Sequence, residues 1–343
     1  MFQKEILRPP IVAILGHVDH GKTTLLDAIR KTDIAVREHG GITQSIGAYQ
    51  TDGITFIDTP GHEAFLAMRS RGAQAADVAI LVVAANDSVM PQTVESIKII
   101  QEAKIPFIVA INKIDLPEAN VDKVIQDLLR HNVLLENYGG DVPFLKISAK
   151  TGTGIKELLD LILLLAEVNN LGSNLTNELE AIIIESKIDK GKGPVATAII
   201  RTGKLSVGDK IFVGDIECKI RALNDFKGQS LKTAGPGTPV EILGFSKVPP
   251  VGAKISSLPV AIKPLTRASV VDSKEGLLNI LLKADTQGSL EAVLAKLPEN
   301  VNLLDCGVGE ISEADILLAK GSKAIILGFN VKVSPSAQRI ADN

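Results

Sequence analysis

Eight consecutive residues, Gly16-His17-Val18-Asp19-His20-Gly21-Lys22-Thr23, fit the pattern GxxxxGK[ST] between an apolar run and an amphipathic stretch. That spacing has a physical purpose. Glycines let the backbone curl so that its N–H groups converge on phosphate oxygens, and the start of a helix adds partial positive charge. The Lys22 ammonium reaches the outer phosphates, and the Thr23 hydroxyl is a ligand for Mg²⁺. With Thr24, these residues form the expected phosphate-binding set. The chemistry implied is recognition of a nucleoside triphosphate.

Three further segments follow in an order that completes such a site. Asp58-Thr59-Pro60-Gly61-His62 ends an apolar run. Asp58 there suits a second contact to Mg²⁺, the Gly61 N–H can meet a γ-phosphate, and His62 stands where an attacking water must be oriented. Asn112-Lys113-Ile114-Asp115 ends another such run. Asp115 can accept from N1–H and the exocyclic amine of guanine, a pair of donors adenine does not present. Asn112 can hydrogen-bond the base and tie neighbouring loops together, and the Lys113 stem can cover the purine ring. Ser148-Ala149-Lys150 would add a backbone N–H for guanine O6 and a second lysine stem. Thr43, between Lys22 and Asp58, can ligate Mg²⁺ only while a γ-phosphate holds its loop closed, which makes a switch. The alternatives for each segment alone are a capped turn or a solvated polar loop. Their order at successive strand ends favours one composite site for GTP and GDP.

These loops need a rigid frame. Apolar runs at 11–15, 54–57, 78–83, 107–111 and 144–147 alternate with helical patterns at 23–30, 63–75, 91–103, 121–130 and 155–168. That rhythm predicts a parallel sheet with helices on both faces. After a polar linker at 169–178, short strands at 181–185, 195–201, 210–213 and 240–243 separated by Gly- and Pro-rich turns predict a small barrel. Beyond residue 263 a βαβαβ rhythm returns. The expected architecture is an α/β P-loop domain (1–168), the linker, an all-β barrel (179–262), a small α/β/α domain (263–334) and a C-terminal tail (335–343). Asp285-Thr286 reads as a helix N-cap and Cys306-Gly307-Val308-Gly309 as a turn. Arg69 and Arg71 read as solvated or interface residues, and the loop histidines His17, His20 and His39 as solvated or hydrogen-bonded rather than metal ligands.

Composition narrows the function further. The 343 residues carry a net charge of −3, far from the basic excess of a protein held on nucleic acid by bulk charge, so any RNA contact must be local. Lys190 and Lys192, in a Gly-rich hairpin, could make one, or could simply be solvated. Two cysteines cannot build a disulfide framework, and no apolar run approaches the roughly 20 residues that span a bilayer. A cytoplasmic protein with no membrane contact is expected.

The motifs HVDHGKT, GGITQSIGAY, DTPGHEAF and NKID resemble those of the translational GTPases, and the stretch at 40–49 is more similar to the bacterial initiation factor two family than to the elongation factors. IDKGKGPVATAIIRTGKL and AGPGTPVEILGFSKVPPVG resemble that family's barrel, and GVGEISEADILLAKGSKAIILGFNV its α/β/α domain, so about residues 8–333 are covered. The resemblance implies a monomeric factor that binds the small ribosomal subunit, touches ribosomal RNA, promotes joining of the large subunit and hydrolyses GTP slowly until the ribosome stimulates it. It also implies that His62 orients the water, that Asp19 is the family's P-loop acid, that Val18 flanks the histidine and that Thr43 is the switch ligand of Mg²⁺, while phosphoryl-transfer chemistry assigns Lys22 and Gly61 to stabilising the transferring phosphate. In the family, initiator tRNA is bound by later domains, so tRNA binding is expected only through parts this chain does not contain. The competing readings are an elongation-type GTPase, a non-hydrolysing ribosome-binding module and a P-loop ATPase or kinase. Asp115 counts against the last of these, and the intact Lys22, Thr23, Asp58 and His62 against the second.

Overall fold

The structure, a computed structural model, describes residues 6–31, 46–169, 171–173, 178–259 and 277–342. The chain divides into two compact units. The first is Met1–Leu179 with Ile199–Leu205 and Ala234–Val240, and the second is Glu180–Ala198, Ser206–Thr233 and Glu241–Asn343.

The first unit is built on β1 (Ile11–Gly16), α1 (Lys22–Arg30), β2 (Gly47–Thr51), β3 (Ile54–Asp58), α2 (Leu66–Ala75), β4 (Val78–Ala84), α3 (Pro91–Ala103), β5 (Phe107–Asn112), α4 (Val121–Arg130), β6 (Phe144–Lys146) and α5 (Ile155–Val168). The sheet order is β2-β3-β1-β4-β5-β6. Only the edge strand β2 runs antiparallel. β4 shows why the runs are continuously apolar. Val78, Ile80 and Val82 join the layer containing Leu25, Leu26, Leu158 and Ile162, whereas Ala79, Leu81 and Val83 join that of Ile97, Ile100, Val124 and Leu128. A strand covered on both faces has no polar side to show. All five parallel strands therefore end at one rim, where β1, β3 and β5 deliver Gly16, Asp58 and Asn112.

Two local expectations change here. The pattern at 63–75 is not one helix but a 3₁₀ turn, Glu63–Phe65, leading into α2. Within the expected linker, Gly172–Ser173 pairs antiparallel with Ile6–Leu7.

A second sheet is formed by β7 (Glu180–Asp189), β8 (Gly193–Thr202), β9 (Lys210–Val213), β10 (Ile216–Asn224), β11 (Pro239–Phe245) and β12 (Lys254–Ile255), in the order β9-β10-β11-β8-β7-β12. Its ends meet: Phe212 and Ser256 exchange backbone hydrogen bonds of 2.9 and 3.0 Å, which closes the sheet into a barrel and removes its free edges. Then come β13 (Leu278–Ala284), α6 (Gln287–Leu294), β14 (Val301–Val308), α7 (Glu313–Ser322), β15 (Ile325–Phe329) and α8 (Pro335–Ala341). These strands are parallel in the order β14-β13-β15. Thr286 caps α6 as expected, its hydroxyl accepting from Ser289 N at 3.1 Å. Cys306–Val308, expected as a turn, instead ends β14 and pairs with Leu282–Ala284. The expected tail is a helix, α8, with Ser334 capping it and Pro335 in its first turn. Lys190 and Lys192 are paired with Glu310 and Glu241 at 2.6 and 2.7 Å. No helix of the described residues is long and apolar enough to cross a membrane.

Candidate functional site

The rim of the first unit gathers the expected residues in one place. β1 leads into a loop in which Asp19 adopts a left-handed conformation (φ 63°) and Gly21 another (φ 87°), after which α1 begins at Lys22. A Cβ on Gly21 would collide with the Asn112 amide, so this position demands glycine for space as well as for φ. Lys22 is buried and folded back over the loop, its Nζ donating to Gly16 O at 2.9 Å and His17 O at 2.7 Å. Burial pulls its pKa down to about 8, against an opposing pull from the Asp58 carboxylate. A charged amine in that setting gains strongly from an incoming phosphate.

Asn112 is the centre of the arrangement. At 2% exposure, its Nδ2 donates to His20 O at 2.9 Å while its Oδ1 accepts from Ala149 N, also at 2.9 Å. One amide thus joins the phosphate loop to the Ser148-Ala149-Lys150 loop. The expected tie between neighbouring loops is therefore made by this one side chain. Ser148 in turn donates from Oγ to Asp115 Oδ1 at 2.6 Å, and this bond holds the exposed Asp115 carboxyl below the usual carboxylate range. Asp115 therefore stays ionised and aimed, ready to accept two donors. Lys113 has left-handed backbone (φ 62°) and lies 3.8 Å from Asp87.

Asp58 is buried at the end of β3. Gly61 packs onto the phosphate loop so closely that a Cβ there would collide with Lys22 Nζ and lie 3.1 Å from Val18 N. Gly61, Val18 and Lys22, expected together, are together. His62 is exposed and turned on itself, its Nδ1 accepting from Ala64 N at 3.2 Å. His20 is fully buried with its Nδ1 3.4 Å from Val82 O, and burial pulls its pKa to about 4. It is buried rather than solvated, and its backbone carbonyl accepts from Asn112. Thr23 and Thr24 open α1. Thr43 and His39 lie outside the described residues.

Two participants were not anticipated. Gln92, in the first turn of α3, accepts from Val18 N through Oε1 at 3.0 Å. Arg69, expected to be solvated or at an interface, is fully buried. Its signal was present: Phe65, Met68, Arg69, Gly72, Ala73 and Ala76 recur at helical spacing, and all are buried.

The fold and site are those of a P-loop nucleotide-binding domain. The family described as Elongation factor Tu GTP binding domain matches residues 8–168, Elongation factor G domain 2 matches 178–258, and Translation-initiation factor 2 matches 265–343. Translation initiation factor IF-2 of Desulforamulus reducens is 48% identical over 99% of this chain, and that of Anoxybacillus flavithermus 46% identical over 98%. The chain spans 38% of the length of the first and 51% of the second. Among solved structures, GDP-bound aIF5B from Aeropyrum pernix is 29% identical with a TM-score of 0.60, covering 98% of this chain and 71% of that one. The elongation factor SelB of Methanococcus maripaludis, in complex with the GTP analogue GppNHp, is 29% identical with a TM-score of 0.56, over 73% of this chain and 55% of that one. Over nearly all of its length the chain is similar to the translation initiation factor 2 family.

Two predictions follow from the geometry. Asp115→Asn replaces one of guanine's two acceptors by a donor, and xanthine, with a carbonyl at that position, then fits better. GDP affinity should drop by about two to three orders of magnitude, two charge-assisted bonds being at stake, while xanthosine diphosphate gains. Competition between the two nucleotides reads this directly, and an unchanged preference for GDP would contradict it. Second, phosphate binding restores the charge on Lys22, so binding above pH 8 must take up a proton. GDP affinity should be flat below pH 7.5 and fall about eightfold from pH 7.5 to 9, with proton uptake in calorimetry across buffers of different ionisation enthalpy. A flat profile with no uptake would remove Lys22 as the titrating group.

Proposed function

We propose that this chain is the nucleotide-hydrolysing part of a translation initiation factor, a GTPase that is slow alone and accelerated on the ribosome. The observation that carries this reading is the Asn112 tie, which sets a phosphate loop and an acidic guanine acceptor side by side. The residues present suit Mg²⁺: the buried Asp58 carboxylate and the Thr23 hydroxyl are hard oxygen donors at the loop's mouth, and Thr43 would join them. When bound, Mg²⁺ neutralises charge on the β- and γ-phosphate oxygens.

In this mechanism Lys22 leaves the Gly16 and His17 carbonyls and moves its charge onto the β/γ-oxygens. Gly61, already against Val18 and Lys22, offers its N–H to the γ-phosphate. His62 orients the attacking water, with Val18 flanking it. The ring pose supports the slow unaided reaction of this reading. With Nδ1 accepting from Ala64 N, the neutral ring carries its proton on Nε2, so through Nε2 it can donate to a water but cannot accept from one. Productive orientation requires the ring to leave its own helix start, and ribosomal RNA is the partner proposed to draw it out. The small and large subunits are the proposed docking surfaces, reached in the GTP state and left after hydrolysis.

The test is GTP turnover by this chain with and without 70S ribosomes. Stimulation of at least about a hundredfold is expected, reduced at least about tenfold by His62→Ala with GDP affinity unchanged, in line with general acid–base and positioning contributions. Fast turnover without ribosomes would contradict the timed-switch reading.

A further inference from the structure

Arg69 is a costly residue to bury, and its partners show what it holds. It lies on α2 with no exposed surface, the largest fully buried side chain among the described residues. Nη1 donates to Pro60 O at 3.1 Å and to His62 O at 2.5 Å. Nη2 pairs with Glu95 on α3. A guanidinium's planar fork suits this three-way grip in a way that a lysine's single ammonium does not. The two carbonyls it holds flank Gly61.

The consequence comes from peptide geometry. In a trans peptide the C=O and the N–H point in opposite directions. Arg69 holds the Pro60 carbonyl on its own side, so the N–H of the next residue, Gly61, faces away from Arg69. Gly61 itself lies against Val18 and Lys22 of the phosphate loop. α3 anchors both partners: Glu95 grips Arg69, and Gln92, one turn earlier, accepts from Val18 N. The loop that carries His62 and the loop that binds phosphate are thereby referenced to the same helical turn.

We propose that Arg69, held by Glu95, is a positioning residue that aims the Gly61 N–H at the γ-phosphate and so sets how well the protein tells GTP from GDP. Arg69 does not touch the nucleotide. It acts through the Pro60–Gly61 peptide and the His62 carbonyl. The proposal rests on the reading that Gly61 meets the γ-phosphate, and the experiment separates the two.

GDP and GppNHp affinities are measured for the parent chain, Arg69→Met, Glu95→Gln and Gly61→Ala. Arg69→Met keeps the buried volume apolar and should bind GDP within about twofold of the parent while binding GppNHp at least about tenfold more weakly. Glu95→Gln keeps an acceptor but loses the charge, and should lower the GppNHp-to-GDP affinity ratio about threefold. Arg69→Lys should recover only part of the ratio, since one ammonium cannot serve both carbonyls and Glu95. If both nucleotides weaken together in Arg69→Met, the residue is merely structural and the proposal is overturned. Should Arg69→Met fail to fold, Glu95→Gln decides, and an unchanged ratio in that variant overturns the proposal. A ratio that collapses in Gly61→Ala but holds in the Arg69 and Glu95 variants removes Arg69 alone. A ratio that holds in Gly61→Ala removes the reading of Gly61 itself.

Discussion

The nucleotide site depends on the side-chain amide of Asn112, which donates to the phosphate loop and accepts from the base-reading loop. Each loop taken alone is a flexible connection between a strand and a helix. Buried at the end of a central strand, Asn112 turns them into one surface of fixed spacing. An amide is the side chain that can do this, because it offers a donor and an acceptor on one short rigid group. Its position has consequences on both sides. Gly21 has to lack a side chain because Asn112 occupies the space, and Asp115 is steadied through Ser148 on the loop that Asn112 holds.

The same economy governs the triphosphate end. Lys22, Gly61 and Val18 are in contact, and the first turn of α3 supports the loops through Gln92 and Glu95. The lysine is buried, discharged more readily than usual and satisfied by loop carbonyls. The histidine is tied to its own helix start. Both groups are present but occupied elsewhere, which is how the proposed GTPase would stay slow until a partner rearranges one ring.

Much of this could be read from the sequence, because strands buried on both faces become unbroken apolar runs and the loops after them carry distinctive residues. What escaped was encoded differently. β2 is a half-buried edge strand with no apolar run. β10 alternates buried Ile216, Cys218 and Ile220 with exposed Glu217, Lys219 and Arg221, a period of two hidden by its charges. The Ser334-Pro335 start of α8 is a capping signal, but the helix behind it is short and weakly apolar. In the site, the described motif residues lie at the ends of β1, β3 and β5 and in the loops that follow, whereas no motif marks Gln92, Arg69 or Glu95. Gln92 and Arg69 contact backbone and Glu95 contacts the Arg69 guanidinium, and nothing in their local spacing announces a partner 74 residues away, as for Gln92 and Val18, or 26, as for Arg69 and Glu95. Arg69 shows the limit well, since a charged residue inside a buried helical stripe is a visible anomaly whose explanation exists only in three dimensions.

The most direct test of the Asn112 tie is GDP affinity in Asn112→Asp, with thermal unfolding measured alongside. Aspartate keeps the acceptor for Ala149 N but loses the donor to His20 O and adds a charge facing that carbonyl. The tie predicts GDP binding weakened by at least about a hundredfold, the cost of leaving buried polar groups opposed, in a chain that still folds. GDP affinity within about threefold of the parent would contradict it and would mean that the two loops hold their spacing without Asn112.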